Sequence, residues 1–354
     1  MSEVSTARTS WMPPEWAVHE RTWMAWPPRS MSTFYPDTIE AAYDAWAAVA
    51  NAIAAFEPVA MICPQEEQSI AAHYLFDQID LMEGTVNAPW IRDTGPTFVL
   101  QTEAVGGHRL GAVDWTFNGW GGRLLPDETG DMGTAARVAN LADATHLRSY
   151  LINEGGGIHV DGDGTVLLTE TVQLNANRNP NWTRTEIERE VHFHLGTEKA
   201  IWLPRGLVAD RDEDGTDGHV DTLACFLKPG VVAVHGQKDP THPDFDTCQE
   251  IAELLRREHD AKGHPLQVIV LDAPEEKYHN STPLSCSYVN FSFVNGGVVL
   301  CAFGDPQDDI IADQLSQALP DRRIAQVPAL NIFKGGGGIH CITQQQPSLH
   351  QVSK

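Results

Sequence analysis

The sequence predicts an α/β protein whose strands form mixed or antiparallel sheets. Amphipathic helical segments alternate with short apolar segments along the whole chain, which indicates helices and strands in regular succession. The predicted strands outnumber the predicted helices, because extra β-rich segments stand between successive helix–strand pairs. A plain βαβ succession is therefore not expected.

The helix–strand pairs have recognisable boundaries. The first helix is predicted to open at Asp37, which has Glu40 at the capping-box spacing, and to run to Phe56. Thr183 and Glu186 form a second capping-box pattern. The other predicted helices are 183–196, 244–259 and 308–319, and the predicted strands are 59–63, 97–100, 165–169, 200–203, 231–234, 267–271, 289–293 and 324–327.

An internal repeat sharpens this prediction. Two segments, 155–160 and 335–341, share a run of glycines followed by Ile and His. Polar clusters recur at intervals of about 50 to 70 residues, at 90–96, 153–161, 218–221, 287–290 and 335–346. The recurrence predicts about five supersecondary units around an axis, each contributing a loop to a shared centre. No segment has the composition of a linker, so one domain is expected over 1–354.

The composition excludes several classes of protein. Apolar residues make up 42% and charged residues 20% of the 354 residues, so a disordered protein is not expected. Asp and Glu number 48 against 24 Lys and Arg, which gives a formal net charge of −24 at pH 7. A polyanion of this size is repelled by nucleic acids and by anionic membranes. Small cations are the favoured partners.

The sequence also bears on location and on the cysteines. No segment approaches the roughly 18 apolar residues of a membrane span, and the first residues lack an apolar signal segment, so we expect a cytoplasmic protein. The six cysteines form no CxxC pair, so neither a disulfide framework nor a zinc knuckle is predicted. Most lie in apolar segments and are expected to be inert core thiols.

Two carboxylates are candidates for a functional site. Asp93 lies beside Arg92 in a turn that a Gly-Pro pair ends, where a turn-capping role is the alternative. Glu154 precedes three glycines, a run that is costly in backbone entropy unless a group must approach the main chain closely. The second pattern favours a site.

A histidine and a third carboxylate form another candidate pair. His219 and Asp221 alternate, so on a strand both would project from the same face. Such a pair can ligate a metal or combine proton transfer with cation binding. Zinc would need further ligands such as His159, Asp161 and His340, but no zinc spacing is present. The Asp-Gly-Asp-Gly run that begins at Asp161 is better explained as a hairpin turn than as a calcium loop.

Cys341 is the candidate nucleophile. It follows four glycines and a histidine, whereas a nucleophilic thiolate needs an accessible backbone and a cationic partner that lowers its pKa. A cysteine, a histidine and three carboxylates suit a planar, cationic electrophile, because a carboxylate can accept two hydrogen bonds from the N–H fork of a guanidinium. The set points to guanidine chemistry.

Motifs from near the first residue to near the last extend this interpretation. The whole chain resembles the agmatine deiminase family, also described as the bacterial peptidyl-arginine deiminase-like group of the pentein superfamily, which modifies guanidino groups. The resemblance implies a single pentein-type catalytic domain, a five-bladed α/β propeller with pseudo-fivefold symmetry. The matching segments are 12–16, 22–27, 90–99, 117–122, 154–165, 177–180, 202–206, 218–221, 287–291, 303–306 and 335–347.

The resemblance also implies roles for the candidate residues. Cys341 matches the nucleophile, His219 the general acid and base, Asp93 and Asp221 the carboxylates that bind the guanidinium, and Glu154 the carboxylate that positions the histidine or the substrate. The implied reaction hydrolyses agmatine to N-carbamoylputrescine and ammonia through an amidino-cysteine intermediate, a step of putrescine biosynthesis. It needs no metal or organic cofactor.

Other residues bear on the substrate. The indoles of Trp90 and Trp120 could pack on an alkylammonium tail, with ordinary core packing as the alternative. An acidic run precedes His219 and is either a solvated loop or a dock for the distal amine of a dication; it comprises Asp210, Asp212, Glu213, Asp214 and Asp217.

Three places depart from the pattern usual in agmatine deiminases. Ala88-Pro89 stands where the family usually has a polar residue, and Thr222 and Gly338 each stand where it usually has Asn. These departures leave the preferred guanidine open. The oligomeric state is also open, and a homo-oligomer is one of the alternatives. The alternatives are amidino transfer, deimination of an arginine derivative or of peptidyl-arginine, non-catalytic binding of cationic ligands, and metal-dependent hydrolysis.

Overall fold

The computed structural model describes residues 10–31, 38–103, 106–122, 133–211 and 215–349. The strands within these ranges are β1 (Ser10–Trp11), β2 (His19–Ala25), β3 (Val59–Cys63), β4 (Asp80–Glu83), β5 (Thr97–Thr102), β6 (His108–Thr116), β7 (Thr145–Ile152), β8 (Ile158–Val160), β9 (Thr165–Thr169), β10 (Lys199–Leu203), β11 (Ala224–Lys228), β12 (Val231–Gly236), β13 (Gln267–Asp272), β14 (Tyr278–His279), β15 (Thr282–Pro283), β16 (Ser292–Val294), β17 (Gly297–Ala302), β18 (Arg323–Pro328) and β19 (Gln344–Pro347).

The helical segments in the same ranges are α1 (Ile39–Ala54), α2 (Gln68–Tyr74), α3 (Ile91–Thr94), α4 (Gly119–Gly122), α5 (Thr134–Leu141), α6 (Glu170–Gln173), α7 (Arg184–Leu195), α8 (Phe245–Arg257), α9 (Gln307–Ala318) and α10 (Leu330–Lys334). None of the described helices is long and apolar enough to cross a membrane.

Five sheets of the described chain share one strand pattern. In each, a first strand pairs antiparallel with a second, and the second pairs parallel with a third that follows a helix. The predicted mixed α/β class is therefore confirmed. The five sets are β5–β6–β7, β8–β9–β10, β11–β12–β13, β16–β17–β18 and β19–β2–β3.

The last sheet joins the two ends of the chain. Strand β19 pairs antiparallel with β2, and the indole N–H of Trp23 donates to Gln346 Oε1 at 2.9 Å. The largest apolar cluster packs around α1 and includes the fully buried Trp26 and Trp46. The six cysteines are all free and buried, which is the expected state of a core thiol for the five other than Cys341.

Helix α7 has the predicted boundaries. Thr183 and Glu186 form a reciprocal capping box, and Gly196 ends the helix in the left-handed conformation at φ 67°. Helix α1 is capped instead by Thr38, whose side chain accepts from the Ala41 N–H, while Asp37 lies outside the described residues. The predicted strand 289–293 is shorter than expected, because β16 begins only at Ser292.

Candidate active site

The candidate side chains occupy equivalent places in the five sheets. Asp93, Glu154, Asp221, Asn290 and Cys341 each lie a few residues before the first strand of one sheet. These five segments are brought together by contacts among the five side chains and the side chain of His219. The recurring polar clusters of the sequence predicted that these loops meet, and their side chains are in contact in the structure.

Gly156 lies where three of these side chains converge. A Cβ at this position would lie 2.6 Å from His219 Nδ1 and 3.0 Å from one oxygen of each of Asp221 and Asp93. The Gly156 N–H donates to Asp93 Oδ1 at 2.8 Å. The glycine run therefore admits close approach to the main chain, as its position after Glu154 predicted.

Asp93 is held by groups from two other segments. Besides the Gly156 N–H, the Trp120 indole N–H donates to Asp93 Oδ2 at 2.9 Å. Burial raises the pKa of Asp93; His219 lowers it, and the nearby Asp221 raises it again, so the net direction is upward. Asp93 is a buried carboxylate with fixed oxygens rather than a simple turn cap.

Glu154 is fully buried and is paired with an arginine that the sequence interpretation left without a role. Arg178 Nε donates to both Glu154 oxygens, at 2.9 and 3.0 Å. Burial would raise the pKa of Glu154, but Arg178 and His219 hold it below its ordinary value. The only advance signal for Arg178 was its place in the matching segment 177–180.

His219 lies between two carboxylates. Its Nε2 is 3.4 Å from Glu154 Oε2, and its Nδ1 is 3.9 Å from Asp93 Oδ2. Burial lowers the pKa of His219, but Asp93, Glu154 and Asp221 together raise it to about 9. The imidazole is therefore protonated at neutral pH and can act as an acid.

The strand on which His219 and Asp221 would share a face by alternation is not formed at 218–221. His219 precedes a single 3₁₀ turn, Val220–Thr222, and β11 starts only at Ala224. The His219 and Asp221 side chains nevertheless both reach the space beside Gly156. A 3₁₀ turn does not place alternate side chains on one face as a strand does. The two side chains therefore meet as expected, but the strand geometry from which this was argued is absent.

Cys341 faces an amide and a carboxylate rather than a cation. Asn290 Nδ2 lies 3.3 Å from its Sγ, and the thiol donates to Asp221 Oδ2 at 3.4 Å. Burial raises the pKa of the Cys341 thiol well above its ordinary value, and Asp221 and Asp93 raise it further. Among the described residues, the expectation of a cationic partner that lowers this pKa is wrong.

Asp221 links the thiol to a second layer of charged groups. His340 Nδ1 lies 2.9 Å from Asp221 Oδ2, and His340 Nε2 lies 2.9 Å from Glu15 Oε1. Burial would raise the pKa of Asp221, but His340 holds it below its ordinary value. The other oxygen, Asp221 Oδ1, is buried with no hydrogen-bond partner among the described residues. Sequence reasoning assigned no role to Glu15 or Asn290, although both lie in matching segments.

The two candidate tryptophans pack against each other. Their rings meet edge to face with centroids 5.8 Å apart, and Trp90 also contacts Trp46 in this way at 6.3 Å. Both Trp90 and Trp120 are buried, and both belong to the main apolar cluster. Trp120 has a left-handed backbone, at φ 55°, which turns its indole N–H toward Asp93.

The residues considered for a metal site have other partners. His159 Nδ1 accepts from the Phe226 N–H at 3.3 Å, and Asp161 Oδ1 accepts from the N–H groups of Asp163 and Thr165. Asp161 thus stabilises the hairpin turn between β8 and β9, as the sequence favoured. Within the described ranges, no three His, Cys, Asp or Glu side chains are placed to hold an ion.

The acidic run before His219 is structural at its two described ends. Asp210 is buried and accepts from the N–H groups of Thr216 and His219. Asp217 is also buried, and its Oδ2 accepts from Arg178 Nη1 at 2.5 Å. A solvated loop is therefore the wrong interpretation for these two residues. The rest of the run lies outside the described residues, namely Asp212, Glu213 and Asp214.

Two of the three departures have a structural reason. A Cβ on Gly338 would lie 2.3 Å from Asn290 Oδ1, so Asn290 fills the space that a larger residue at 338 would need. Thr222 donates from its hydroxyl to the His219 carbonyl at 3.0 Å and so supports the turn. Ala88 is buried in the main apolar cluster, and nothing in the structure explains its choice.

Comparison with known proteins gives one consistent result. The family model described as Porphyromonas-type peptidyl-arginine deiminase matches residues 11–347. A relative from Streptomyces coelicolor is 50% identical over 337 residues, covering 95% of this chain and 98% of its own. The agmatine deiminase of Stutzerimonas stutzeri is 41% identical over 362 residues, covering 96% of this chain and 95% of its own. A solved structure of the agmatine deiminase of Enterococcus faecalis superposes with a TM-score of 0.90 at 31% identity, covering 99% of this chain and all of that one.

Proposed function

The chain belongs to the Porphyromonas-type peptidyl-arginine deiminase family and is an enzyme that acts on guanidino C–N bonds, and we propose that it hydrolyses agmatine to N-carbamoylputrescine and ammonia through a covalent adduct on Cys341. The observation that carries this proposal is the pairing of a thiol with two buried carboxylates. Cys341 lies beside Asp221, and Asp93 lies across Gly156 from it.

The guanidinium binds between Asp93 and Asp221. The free Asp221 Oδ1 accepts one of its N–H groups, and Asp93 accepts others. Both carboxylates are buried, so their attraction for a cation is weakly screened. The guanidinium carbon then lies within reach of the Cys341 Sγ.

Substrate charge activates the nucleophile. Before substrate binds, burial together with the charges of Asp221 and Asp93 keeps Cys341 as a thiol. A bound guanidinium compensates their charge, which lowers the pKa of the thiol. The proton of the S–H that points to Asp221 is then lost to solvent, where it balances the ammonium ion that the released ammonia forms. The thiolate forms only when a cationic substrate is present.

His219 supplies and removes the remaining protons. The thiolate attacks the guanidinium carbon and forms a C–S bond; the C–N bond then breaks as protonated His219 gives its proton to the departing ammonia. Water attacks the resulting amidino-thioether and gives a proton to neutral His219. The C–S bond breaks, the ureido product is released, and its last proton returns the cysteine to the thiol.

The surroundings favour a small substrate over peptidyl-arginine. The side chains assigned to the reaction are all buried, with Cys341 the most exposed of them at 7%. A peptide backbone would need an open cleft beside these groups. Trp90 and Trp120 form one apolar wall next to Asp93, and we assign to it the packing of the substrate's alkyl chain.

We also propose that the five sheets are the blades of a pentein propeller. Support comes from their common strand pattern and from the equivalent places of the site residues before each first strand. In this arrangement each blade contributes one loop to the centre, so a single domain builds the whole site.

The experiment is a substrate panel. Purified protein is incubated with agmatine, arginine and a peptidyl-arginine, and ammonia and the ureido product are measured. Agmatine is expected to give the highest kcat/KM, and the Cys341→Ala variant is expected to give no product. An amine added as acceptor tests amidino transfer. Absence of turnover with every guanidine would refute the hydrolase.

A further inference from the structure

A buried carboxylate from the N-terminal segment contacts three basic side chains beside the candidate active site. Glu15 is 3% exposed. Its Oε1 accepts from Arg92 Nη1 at 3.3 Å and lies 2.9 Å from His340 Nε2, and its Oε2 lies 3.6 Å from His159 Nε2. The proposed chemical steps use none of these four groups, so their place beside the site needs another explanation.

The His340 ring connects Glu15 to Asp221. Its two nitrogens lie 2.9 Å from one oxygen of each carboxylate. An ionised carboxylate can only accept hydrogen bonds, so a ring bound at both ends to ionised partners donates from both nitrogens and is an imidazolium. The geometry therefore describes a buried cation between two anions.

The pKa directions agree with this geometry. Burial lowers the pKa of His340, and Arg92 opposes its charge, but Glu15 and Asp221 raise the pKa above its ordinary value. Burial would raise the pKa of Glu15, yet His340, Arg92 and His159 hold it well below its usual range. For Glu15, His340 and Asp221 alike, the direction of the pKa shift favours the charged form.

His340 fixes the oxygens of Asp221. The Oδ2 that receives the His340 hydrogen bond also accepts the Cys341 S–H, and Oδ1 remains for a ligand. The backbone N–H of His340 donates to Asn290 Oδ1 at 3.0 Å, which ties the same residue to the other neighbour of the thiol. A rotation of the Asp221 carboxylate would break both contacts.

We propose that Glu15 and His340 are positioning residues of this site: Glu15 keeps His340 protonated, and protonated His340 holds the Asp221 carboxylate toward the substrate guanidinium. The proposal rests on the proposed function. It assigns to the N-terminal segment a part in catalysis without contact with the substrate.

The charged and titratable groups around His340 determine in which direction its pKa changes when Glu15 is replaced. Asp221 contacts Nδ1, Glu15 contacts Nε2, and Arg92 donates to the His340 carbonyl. The ring of His159 lies with its centroid 6.3 Å from that of His340. In Glu15→Gln, burial and Arg92 both favour the neutral ring, while Asp221 still favours the imidazolium. His340 then loses its proton at lower pH than in the native enzyme.

Kinetics of four proteins test the proposal. Native enzyme, Glu15→Gln, Glu15→Asp and Glu67→Gln are compared for kcat and KM with agmatine from neutral to alkaline pH. Glu67 is the matched control, because it is also buried but binds the Arg29 N–H and the Tyr43 hydroxyl instead. The ratio of Glu15→Gln activity to native activity is expected to be about tenfold lower at the alkaline end of this range than at neutral pH. Glu15→Asp keeps the charge and the native profile shape, and Glu67→Gln parallels the native enzyme.

A uniform loss in Glu15→Gln, with the native pH profile, would overturn the proposal, because a merely structural role lowers activity equally at every pH. His340→Gln cannot take a charge, so its activity relative to native should be reduced and flat with pH. It keeps the test decisive where Glu15→Gln does not fold.

A second readout does not depend on turnover. The ¹⁵N-histidine spectrum of Cys341→Ala is recorded through a pH titration with and without Glu15→Gln, and the His340 signals are assigned by their loss in His340→Gln. The titration is expected to move to lower pH with Glu15→Gln. Absence of turnover in the native enzyme together with this shift would refute only the proposed function. Turnover with an unmoved His340 titration would refute only the positioning role.

Discussion

Cys341 lies between the Asn290 amide and the Asp221 carboxylate, an environment that suppresses the thiolate. A free enzyme of this kind reacts slowly with electrophiles that lack a positive charge. In the proposed mechanism the cation that activates the thiol is the substrate itself, so selectivity for guanidinium and activation of Cys341 are one event.

Alkylation of Cys341 tests this coupling. Neutral iodoacetamide should modify Cys341 slowly at neutral pH, and guanidinium ion, which can bind but carries no alkyl tail, should accelerate the modification by about tenfold or more. Mass spectrometry of the digested protein measures the rate at this site, and sodium chloride at the same concentration is the control. Fast modification without any guanidinium would contradict the raised pKa of the thiol.

His219 gives the pH dependence its sign. Its pKa is raised from 6.5 to about 9, so the acid form that protonates ammonia is present below about 9 and lost above it. The kcat/KM for agmatine should therefore decline as the pH rises through about 9. The same shift stabilises the folded protein below pH 6.5, and this contribution is lost as the pH rises through about 9. A profile that keeps rising above pH 9 would exclude this role.

At the scale of elements, the glycine turn after Glu154 determines the spacing of the site. Gly156→Ala would place a methyl group 2.6 Å from His219 Nδ1 and 3.0 Å from oxygens of Asp93 and Asp221. We expect kcat/KM to fall about 100-fold or more, because small displacements of reacting groups cost this much.

The control for this variant is Gly133→Ala. Gly133 has ordinary negative φ, and a Cβ there would meet no atom of the described residues within 4 Å. Its activity should equal that of the native enzyme, and both variants should be checked for folding by circular dichroism. Native activity in a folded Gly156→Ala protein would show that the site is not built around this turn.

Sequence patterns predicted elements best where the signal is local. The capping box at Thr183 and the apolar strand Val59–Cys63 follow directly from side-chain chemistry and appear as expected. The alternation of His219 and Asp221 is compatible with a strand, but the segment forms a 3₁₀ turn, which alternation alone cannot distinguish from a strand. The partners of Cys341 and the ion pair of Arg178 with Glu154 join distant segments, so no local pattern could reveal them.

At the scale of the whole molecule, segments near both ends of the chain contribute to the candidate site. Strand β19 pairs with β2, and Glu15 from the N-terminal segment binds His340 beside Cys341. Asp93, Glu154 and Asp221 are three of the 48 acidic residues. The remaining excess of negative charge favours the encounter with a cationic substrate through long-range attraction.

The central claim is that Cys341 carries the guanidine-derived group during turnover. Rapid acid quenching of the enzyme with saturating agmatine, followed by mass spectrometry of the Cys341 peptide, measures this directly. The predicted result is a transient amidino adduct on Cys341 that appears before the ureido product and is absent in Cys341→Ala, which makes no product. Turnover by Cys341→Ala, or product formed while the native Cys341 peptide stays unmodified at every time point, would contradict the claim.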